Sequence, residues 1–286
     1  MQNHFSAKLS LWIQAARPKT LPAAVAPVVV GSAVAVADGR FLPMPALACL
    51  FCAIVLQIAV NLANDYFDFK SNVDSEERLG PVRVTQSGLI PPLEVKRAMI
   101  LSLFLAALLF LYLVSVGGTV IAVIGGSSIL AALAYSGGPY PLASHGLGEL
   151  FVFIFFGLVA VCSTYFIQAG ELSRMAVFAA IPPGLLITAI MVVNNLRDRE
   201  TDSRAGKNTL AVILGYRWTV RGYTALIVTS YLVPVVMVIS GNKSMLICLP
   251  LLTLPFGWSL IGEVRGAKTA RLSLFYSLLF AVGLMV

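Results

Sequence analysis

The chain has 286 residues, of which 58% are hydrophobic and only 12% are charged, and its mean hydropathy is +0.89. Soluble domains usually carry about 25% charged residues, so this composition excludes an ordinary soluble enzyme and predicts a membrane protein. The net charge of +7 does not indicate a nucleic-acid partner, because the basic residues lie in short loops between apolar runs, where they determine orientation in the membrane.

About nine apolar runs are long enough to cross a membrane, since a helix needs roughly 20 apolar residues to span the hydrocarbon core. The predicted spans lie at 20–37, 43–63, 97–116, 118–136, 149–169, 175–194, 218–240, 244–262 and 269–286. Only Gly117 and Gly118 separate the third run from the fourth, so a tight hairpin is expected there. The predicted fold class is therefore all-α, a polytopic membrane protein with a single transmembrane domain over residues 1–286.

The basic residues predict how these spans are oriented. With the N-terminus inside, the outside segments contain only three of the 20 Lys and Arg residues, which are Arg40, Arg174 and Lys243. Such an excess of basic residues marks the cytoplasmic side of a membrane protein. We therefore expect a protein of the cell inner (plasma) membrane whose N-terminus and two long acid-rich loops are cytoplasmic.

The first acid-rich segment begins at the end of the second span. If the helix continues past the span, Asn61, Asn64, Asp65 and Asp68 share one face, because residues three and four apart are neighbours on a helix. Asp74 follows shortly after this stripe. Polar groups near membrane depth are usually functional, so the stripe predicts a site and not a solvated loop.

The second acid-rich segment follows the sixth span in the same way. Asn194, Asp198 and Asp202 are spaced four residues apart and form another polar stripe. Asn195 and Arg197 lie in the same segment. Both segments follow an Asn at the end of a span, and they lie four spans apart. This pattern predicts two pseudo-repeat halves, at about 1–142 and 143–262, with the substrate site at their interface.

Carboxylates gathered at the ends of membrane helices repel one another and lose hydration. A divalent cation removes this problem, and Mg²⁺ is usually held by one or two carboxylates together with substrate phosphates. Basic side chains between the acids would pair with phosphate oxygens. The candidates are Lys70, Arg78, Arg83, Arg197 and Lys207. The sequence therefore predicts a magnesium-chelated diphosphate between the two loops.

Two uncharged features near these loops have open interpretations. The segment 79–88, which includes Gln86, is rich in turn formers whose backbone donors could wrap an anion, but a plain connecting turn fits equally well. Tyr135 and Tyr140 could line an aromatic wall near a carbocation, because ring faces attract cations. Both tyrosines fit equally well in the interfacial aromatic belt of a membrane protein.

The two acidic motifs together resemble those of the UbiA superfamily of intramembrane aromatic prenyltransferases. The resemblance rests on residues 64–68, which read Asn-Asp-Tyr-Phe-Asp, on Asp74, and on Asp198 and Asp202 four spans later. It extends over essentially the whole chain. Within the superfamily, the stretches 16–22, 68–88 and 194–210 are most similar to the branch that prenylates 1,4-dihydroxy-2-naphthoate in menaquinone synthesis.

The resemblance implies Mg²⁺-dependent transfer of a polyprenyl group from polyprenyl diphosphate to 1,4-dihydroxy-2-naphthoate, whose carboxylate leaves as CO₂. It implies catalytic roles for Asp65, Asp68, Asp198 and Asp202, which together with Asp74 are the expected metal ligands. The expected substrate-binding residues are Asn61, Asn64, Lys70, Arg78, Arg83, Gln86, Tyr135, Tyr140, Asn194, Asn195, Arg197 and Lys207.

The sequence departs from the superfamily pattern at two places. The general first motif has an acid where this chain has Asn72, and the next acid is Asp74, whose metal role therefore stays open. In the 4-hydroxybenzoate branch, basic residues follow a Tyr-Pro pair after the fourth span. Here Tyr140 and Pro141 are followed by Leu142 and Ala143, which argues against 4-hydroxybenzoate as the acceptor.

Other functions are compatible with parts of this pattern. The same fold could serve another aromatic acceptor, such as 4-hydroxybenzoate or homogentisate, or haem. An ion-coupled transporter is an alternative from another class, but its acids are expected near the bilayer midplane. The acids of this chain lie at the ends of the predicted spans, which favours the enzyme. A phosphotransferase using CDP-alcohols is disfavoured because its single acidic motif is absent.

Overall fold

The computed structural model describes residues 2–71, 83–241, 244–264 and 266–286, with side chains from residue 8 onward. Every regular element among these residues is helical, which confirms the predicted all-α class. The helices are α1 (Gln2–Ala16), α2 (Pro22–Ala37), α3 (Pro43–Lys70), α4 (Pro92–Ser136), α5 (Gly148–Ala169), α6 (Arg174–Arg197), α7 (Arg199–Arg204), α8 (Leu210–Ile239), α9 (Met245–Glu263) and α10 (Gly266–Leu284).

Local sequence explains where several helices begin. Pro22, Pro43 and Pro92 occupy the first positions of α2, α3 and α4, where a missing N–H interrupts no helical hydrogen bond. The hydroxyl groups of Ser173 and Thr209 cap α6 and α8. They accept hydrogen bonds from backbone N–H groups three residues later, at 3.1 and 3.4 Å.

Helix α4 is folded back on itself at Gly118, whose φ of 67° lies in the region that favours glycine. In a straight helix Phe110 and Gly125 would be about 22 Å apart. Instead, a Cβ atom added to Gly125 would lie 2.7 Å from the Phe110 ring. The hairpin predicted at Gly117 and Gly118 is therefore present, and α4 supplies two antiparallel arms.

Seven of the described helices are long and apolar enough to cross a membrane, or up to eight with the bent pair that α1 and α2 form. Because α4 counts as one helix in that number but contains two arms, the described chain holds about nine crossing segments, as hydropathy predicts. The pseudo-repeat halves remain a prediction.

Two helices begin earlier than their predicted spans. Helix α4 starts at Pro92 and not at 97, and α8 starts at Leu210 and not at 218, with a bend at Gly215. In α4, Lys96 and Arg97 lower the local hydropathy of the first turns but do not interrupt the helix, because Lys and Arg are good helix formers. In α8 the additional residues are mostly apolar, and the bend at Gly215 separates them from the rest of the helix.

Buried tyrosines join the C-terminal helices to one another. The Tyr223 hydroxyl lies 2.9 Å from that of Thr269, and the Tyr231 hydroxyl lies 2.8 Å from that of Thr253. The Tyr276 hydroxyl donates to the Ser230 carbonyl. Lipid tails are as apolar as the helices, so such hydrogen bonds and close packing hold membrane helices together.

The loops after α3, α4 and α6 lie at the same end of the helix bundle. The Asn208 N–H donates to the Ser144 carbonyl at 2.9 Å, and the Lys207 ammonium lies 3.3 Å from the Asp68 carboxylate. These contacts bring the two acid-rich segments together across a sequence separation of 139 positions.

Candidate active site

A cavity of about 290 Å³ lies between the helices. Its lining residues on α3 run from Cys49 to Asn64 at intervals of three and four, so they follow one face of the helix. At 1.5 Å per residue this face is about 22 Å long. Polar residues from the turn between α1 and α2, and from α3, α4 and α6, line the end near the acid-rich loops: Arg17, Thr20, Asn61, Asn64, Tyr135 and Asn194. The opposite end is apolar, lined by Cys49, Phe110, Leu113, Ile121 and Ile167.

Asp68 forms a buried cluster of charges at the polar end. Its carboxylate is 7% exposed; Oδ2 lies 2.5 Å from Nη2 of Arg83, and Oδ1 lies 3.3 Å from Nζ of Lys207. The structure thus brings together one predicted metal ligand and two predicted phosphate-binding cations. Charge-assisted hydrogen bonds of this kind fix the position of all three side chains.

Asp65 holds the turn from which Arg83 projects. Its carboxylate is 1% exposed, and its oxygens accept hydrogen bonds from the backbone N–H groups of Val84 and Thr85, at 3.2 and 3.3 Å. Of the two open interpretations of segment 79–88, its described part shows backbone donors around an anion, and that anion is the carboxylate of Asp65. Its predicted role as a metal ligand is not tested by this arrangement.

Asn61 ties α3 to the turn between α1 and α2. Its Nδ2 donates to the Ala16 carbonyl and to the Thr20 hydroxyl, each at 2.9 Å, and its Oδ1 accepts from Gln57 at 3.5 Å. Arg17, at the centre of the turn, has a φ of 52°, which is unusual for a residue with a side chain. Such strain is typical of functional sites, and Arg17 lines the cavity.

The other two cavity asparagines are also held by neighbours. Oδ1 of Asn64 accepts a hydrogen bond from the Ser136 hydroxyl at 2.5 Å, and Oδ1 of Asn194 accepts from Arg197 at 3.3 Å. The same Arg197 contacts both oxygens of Asp198, at 2.8 and 2.7 Å. Arg197 therefore connects two members of the predicted stripe, Asn194 and Asp198, in one hydrogen-bonded group at the end of α6.

Asp198 also shapes the loop that carries Lys207. Its backbone carbonyl accepts from the Thr201 hydroxyl and from the Asp202 N–H, both at 2.8 Å. The Asp202 carbonyl in turn accepts from the Lys207 N–H at 2.9 Å. Asp198 is buried and Asp202 is half-buried, so the two predicted carboxylates of this segment lie in different environments.

Asn195 points to a partner that sequence reasoning missed. Its Nδ2 donates at 2.8 Å to Oε1 of Glu149, a buried acid at the start of α5. The other carboxylate oxygen of Glu149, Oε2, is buried with no hydrogen-bond partner among the described residues. The signal was present in the sequence as an acid at the edge of an apolar run, where charged groups are costly.

The two tyrosines lie in different places. Tyr135 lines the cavity, and its hydroxyl lies 3.1 Å from Sδ of Met191. Tyr140 is 57% exposed and stacks on His145 with ring centroids 3.6 Å apart, so the structure does not place it in the predicted aromatic wall. That wall is instead completed by Phe151, Phe155 and Phe156 of α5.

Besides Tyr140, two more predicted substrate-binding residues lie at the surface, and two predicted site residues fall outside the described part of the chain. Lys70 is exposed at the end of α3, and Gln86 is exposed in the turn that Asp65 holds. Arg78 and Asp74 lie outside the described residues. For all four, the predicted roles stay predictions.

The donor atoms at this end fit a hard divalent cation. Asp68 and Asp198 offer carboxylate oxygens, which are the ligands that Mg²⁺ prefers. Among the described residues, no three His, Cys, Asp or Glu side chains come together as a preformed metal site. A cation here would therefore take one or two protein carboxylates and complete its shell with oxygens of a ligand, as Mg²⁺ commonly does with phosphates.

Residues 24–281 match the profile of the UbiA prenyltransferase family. The chain belongs to this family. A 1,4-dihydroxy-2-naphthoate octaprenyltransferase of Escherichia coli (strain K12) is 43% identical to this UbiA family member over 71% of the chain and 68% of the relative. A protein of the same name from Mycobacterium tuberculosis is 37% identical over 93% of the chain and 89% of the relative.

The fold of this UbiA family enzyme is also that of solved relatives. The structure of a UbiA homologue from Archaeoglobus fulgidus bound to GPP and Mg²⁺ superposes with a TM-score of 0.73, at 16% identity, over 96% of this chain and 98% of that one. The family profile confirms the resemblance to a prenyltransferase family that the two acidic motifs predict, and the chain is a multi-span membrane prenyltransferase.

Sequence reasoning missed three further cavity residues of this UbiA family enzyme. The sequence places Arg17 among the basic residues that determine orientation and Thr20 and Gln57 at the start of and within apolar spans, although 16–22 is also one of the stretches that carry the family resemblance. The available signal was a polar side chain inside a span, which is costly in a bilayer unless it is paired or functional.

Proposed function

We propose that this enzyme transfers a polyprenyl group from polyprenyl diphosphate to 1,4-dihydroxy-2-naphthoate, with loss of the naphthoate carboxylate as CO₂, in menaquinone synthesis. The observation that carries the proposal is the buried cluster of Asp68, Arg83 and Lys207 at the polar end of a long apolar cavity. The basic side chains of this cluster would bind a diphosphate, and the long apolar cavity would accommodate a polyprenyl chain.

The charged cluster supports a site for the diphosphate. Arg83 and Lys207 now neutralise Asp68, and Arg197 neutralises Asp198. A bound diphosphate would draw these three cations to its own oxygens and leave the carboxylates to a metal. We assign the metal to Asp68 and Asp198 first, with Asp65, Asp74 and Asp202 as the further candidates. Mg²⁺, when bound, supplies electrostatic stabilisation of the leaving diphosphate.

The chemistry requires one bond to break in each substrate and one to form between them. The allylic C–O bond of the donor breaks, and diphosphate leaves with the electron pair while Arg83, Lys207 and Arg197 stabilise its charge. The ring carbon that bears the carboxylate then forms a C–C bond to the allylic carbon. Loss of CO₂ from the ring restores its aromaticity, so this step needs no further oxidant or base.

The rest of the cavity supports the handling of the donor tail. The apolar face of α3 runs for about 22 Å away from the acidic loops. Tyr135, Phe151 and Phe155 line the cavity and present ring faces that would stabilise an allylic cation. A site buried among membrane helices also excludes the water that would otherwise capture that cation.

Two arguments support 1,4-dihydroxy-2-naphthoate as the acceptor. The E. coli and M. tuberculosis relatives carry the name of an enzyme for this substrate, and they cover most of the chain. The pair Tyr140 and Pro141 lacks the following basic residues expected for the 4-hydroxybenzoate branch. The positive-inside pattern supports an inner-membrane enzyme with its N-terminus and acidic loops in the cytoplasm.

An acceptor competition assay tests this proposal. Purified enzyme would receive labelled polyprenyl diphosphate and Mg²⁺, with dihydroxynaphthoate and 4-hydroxybenzoate offered separately, each with and without chelator. The expected result is chelator-sensitive prenylation of the naphthoate with release of CO₂. If product formed only from 4-hydroxybenzoate, the proposed prenyl transfer would stand, and the proposed acceptor would be wrong. Turnover that persists in chelator would overturn the metal assignment.

A further inference from the structure

The hydrogen bonds around Asn61 fix the orientation of the Gln57 side-chain amide. The Ala16 carbonyl can only accept, so the Asn61 atom facing it must be the nitrogen. The remaining atom, Oδ1 of Asn61, can also only accept, so the Gln57 atom facing it is again the nitrogen. The same Gln57 nitrogen lies 3.3 Å from the Thr20 hydroxyl. Because these contacts hold the nitrogen of the Gln57 amide toward Asn61 and Thr20, the carbonyl oxygen of the amide points away from both residues.

That oxygen, Oε1 of Gln57, is buried and has no hydrogen-bond partner among the described residues. Gln57 is 8% exposed and lines the cavity. A buried acceptor without a partner is rare in folded proteins and calls for an explanation by water, ion or ligand. Its neighbours Asn61 and Thr20 are fully engaged with one another, so the carbonyl cannot turn away without breaking the network.

We infer that Gln57 binds a hydroxyl group of the aromatic acceptor through Oε1, an inference that rests on the proposed function. A carbonyl oxygen can only receive a hydrogen, so it selects a donor group. The diphosphate and the carboxylate of the substrates carry no such hydrogen at neutral pH, and the polyprenyl tail has no polar group. The hydroxyls of the dihydroxynaphthoate ring are the donors that the two substrates offer.

The position of Gln57 suits a ring held below the diphosphate. Gln57 precedes Asn64 by seven residues, or about 10 Å along α3, and both residues line the cavity. Asp68 lies one further turn toward the charged end. A ring that donates to Gln57 would therefore lie deeper in the cavity than the diphosphate, beside the first carbons of the tail. Gln57 is thus assigned as a substrate-binding residue that sets the orientation of the acceptor.

The test compares Gln57→Met with Gln168→Met. The first substitution keeps the length of the side chain and removes the acceptor. Gln168 is a matched control, because it is also a buried glutamine, but its Oε1 accepts from the Leu42 N–H and it does not line the cavity. Gln57→Met should raise the KM of the acceptor about 10- to 100-fold and leave the KM of the donor unchanged. Gln168→Met should leave both KM values unchanged.

Two acceptor analogues, each with one hydroxyl converted to a methyl ether, identify the group that Gln57 binds. In the wild type, one ether should lose affinity by a factor similar to that of Gln57→Met, measured as a Kd without donor. In Gln57→Met, that ether and the parent acceptor should bind alike. A loss that is the same in wild type and variant would show that the ether is excluded by shape and would overturn the inference.

The outcomes separate this inference from the proposed function. Wild-type turnover with an unchanged acceptor KM in Gln57→Met overturns the inference alone. Absence of wild-type turnover with every hydroxylated aromatic acceptor overturns both. If Gln57→Met does not fold, Gln57→Leu, which also removes the acceptor, takes its place in both comparisons. Equal wild-type Kd values for the parent and both ethers overturn the inference in either case.

Discussion

Nζ of Lys207 lies 3.3 Å from Oδ1 of Asp68, although 139 positions separate the two residues in the chain. Asp68 ends the first acidic stripe, and Lys207 follows the second. The contact therefore joins the two motifs at one end of the bundle. Both side chains are largely buried, so their charges interact more strongly than they would at a protein surface.

The first prediction concerns the carboxylates assigned to the metal. Asp68→Asn and Asp198→Asn should each lower kcat at least about 100-fold, because each removes negative charge that would hold a cation beside the leaving group. Initial rates at saturating substrate and Mg²⁺ check this. Glu200→Gln is the control, since the Glu200 side chain is 78% exposed and should not matter. Variants of Asp68 and Asp198 that keep most of the wild-type activity would contradict the assignment.

The second prediction concerns the turn that Asp65 holds. Asp65→Asn places an amide NH₂ against one of two backbone N–H groups, so the free energy of unfolding should fall by about 1–3 kcal/mol. Thermal unfolding in detergent measures this. Glu94→Gln changes an acid at the surface and should have little effect, since its contact with Lys8 is exposed. If Asp65→Asn lost activity at wild-type stability, Asp65 would act on the metal and not on the turn.

The third prediction concerns Glu149. Glu149→Ala leaves the buried Asn195 amide without its partner. A shift of Asn195 would displace Asn194, the adjacent residue that lines the cavity, so kcat should fall about tenfold. Glu149→Gln keeps an oxygen that can accept from Asn195 and should restore at least half of the activity. Steady-state kinetics of the two variants measure the difference. Equal losses in both would mean that the carboxylate charge itself is needed.

The fourth prediction concerns orientation. A reporter that is active only outside the cytoplasm should be inactive when it is fused after Gly206 and active when it is fused after Gly170. Both glycines are exposed, and they lie at opposite ends of α6. The basic residues around Gly206 are the physical reason, because they retain that end in the cytoplasm. The reverse pattern of activity would invert the proposed topology.

The fifth prediction concerns the crossing of α5 and α6. A Cβ at Gly157 would lie 2.8 Å from the Cα of Gly184, a backbone atom that can move only with its helix. Gly157→Ala should therefore destabilise the protein by about 1–3 kcal/mol, measured as thermal unfolding in detergent. Gly126→Ala is the control, because nothing lies within 4 Å of its Cβ. Similar melting temperatures for both variants would contradict this packing.

Most of the fold could be predicted from the sequence. The apolar runs predicted the membrane-spanning helices, because the bilayer requires about 20 apolar residues in each helix and this requirement does not depend on the neighbouring helices. Gly117 and Gly118 gave the hairpin in α4, since a reversal needs a residue that tolerates a positive φ. The two acidic stripes indicated which polar side chains lie near one another at one end of the bundle, because residues three and four apart share a helix face.

The tertiary structure decided which side chains meet. Asn195 pairs with Glu149 across 46 positions, and Gln57 with Thr20 across 37. It also turned the oxygens of Asp65 toward backbone N–H groups and left Tyr140 at the surface. Hydropathy and helical period are local properties that a linear sequence displays directly. The partner of a buried polar group depends on how distant helices pack, and only the folded chain determines that.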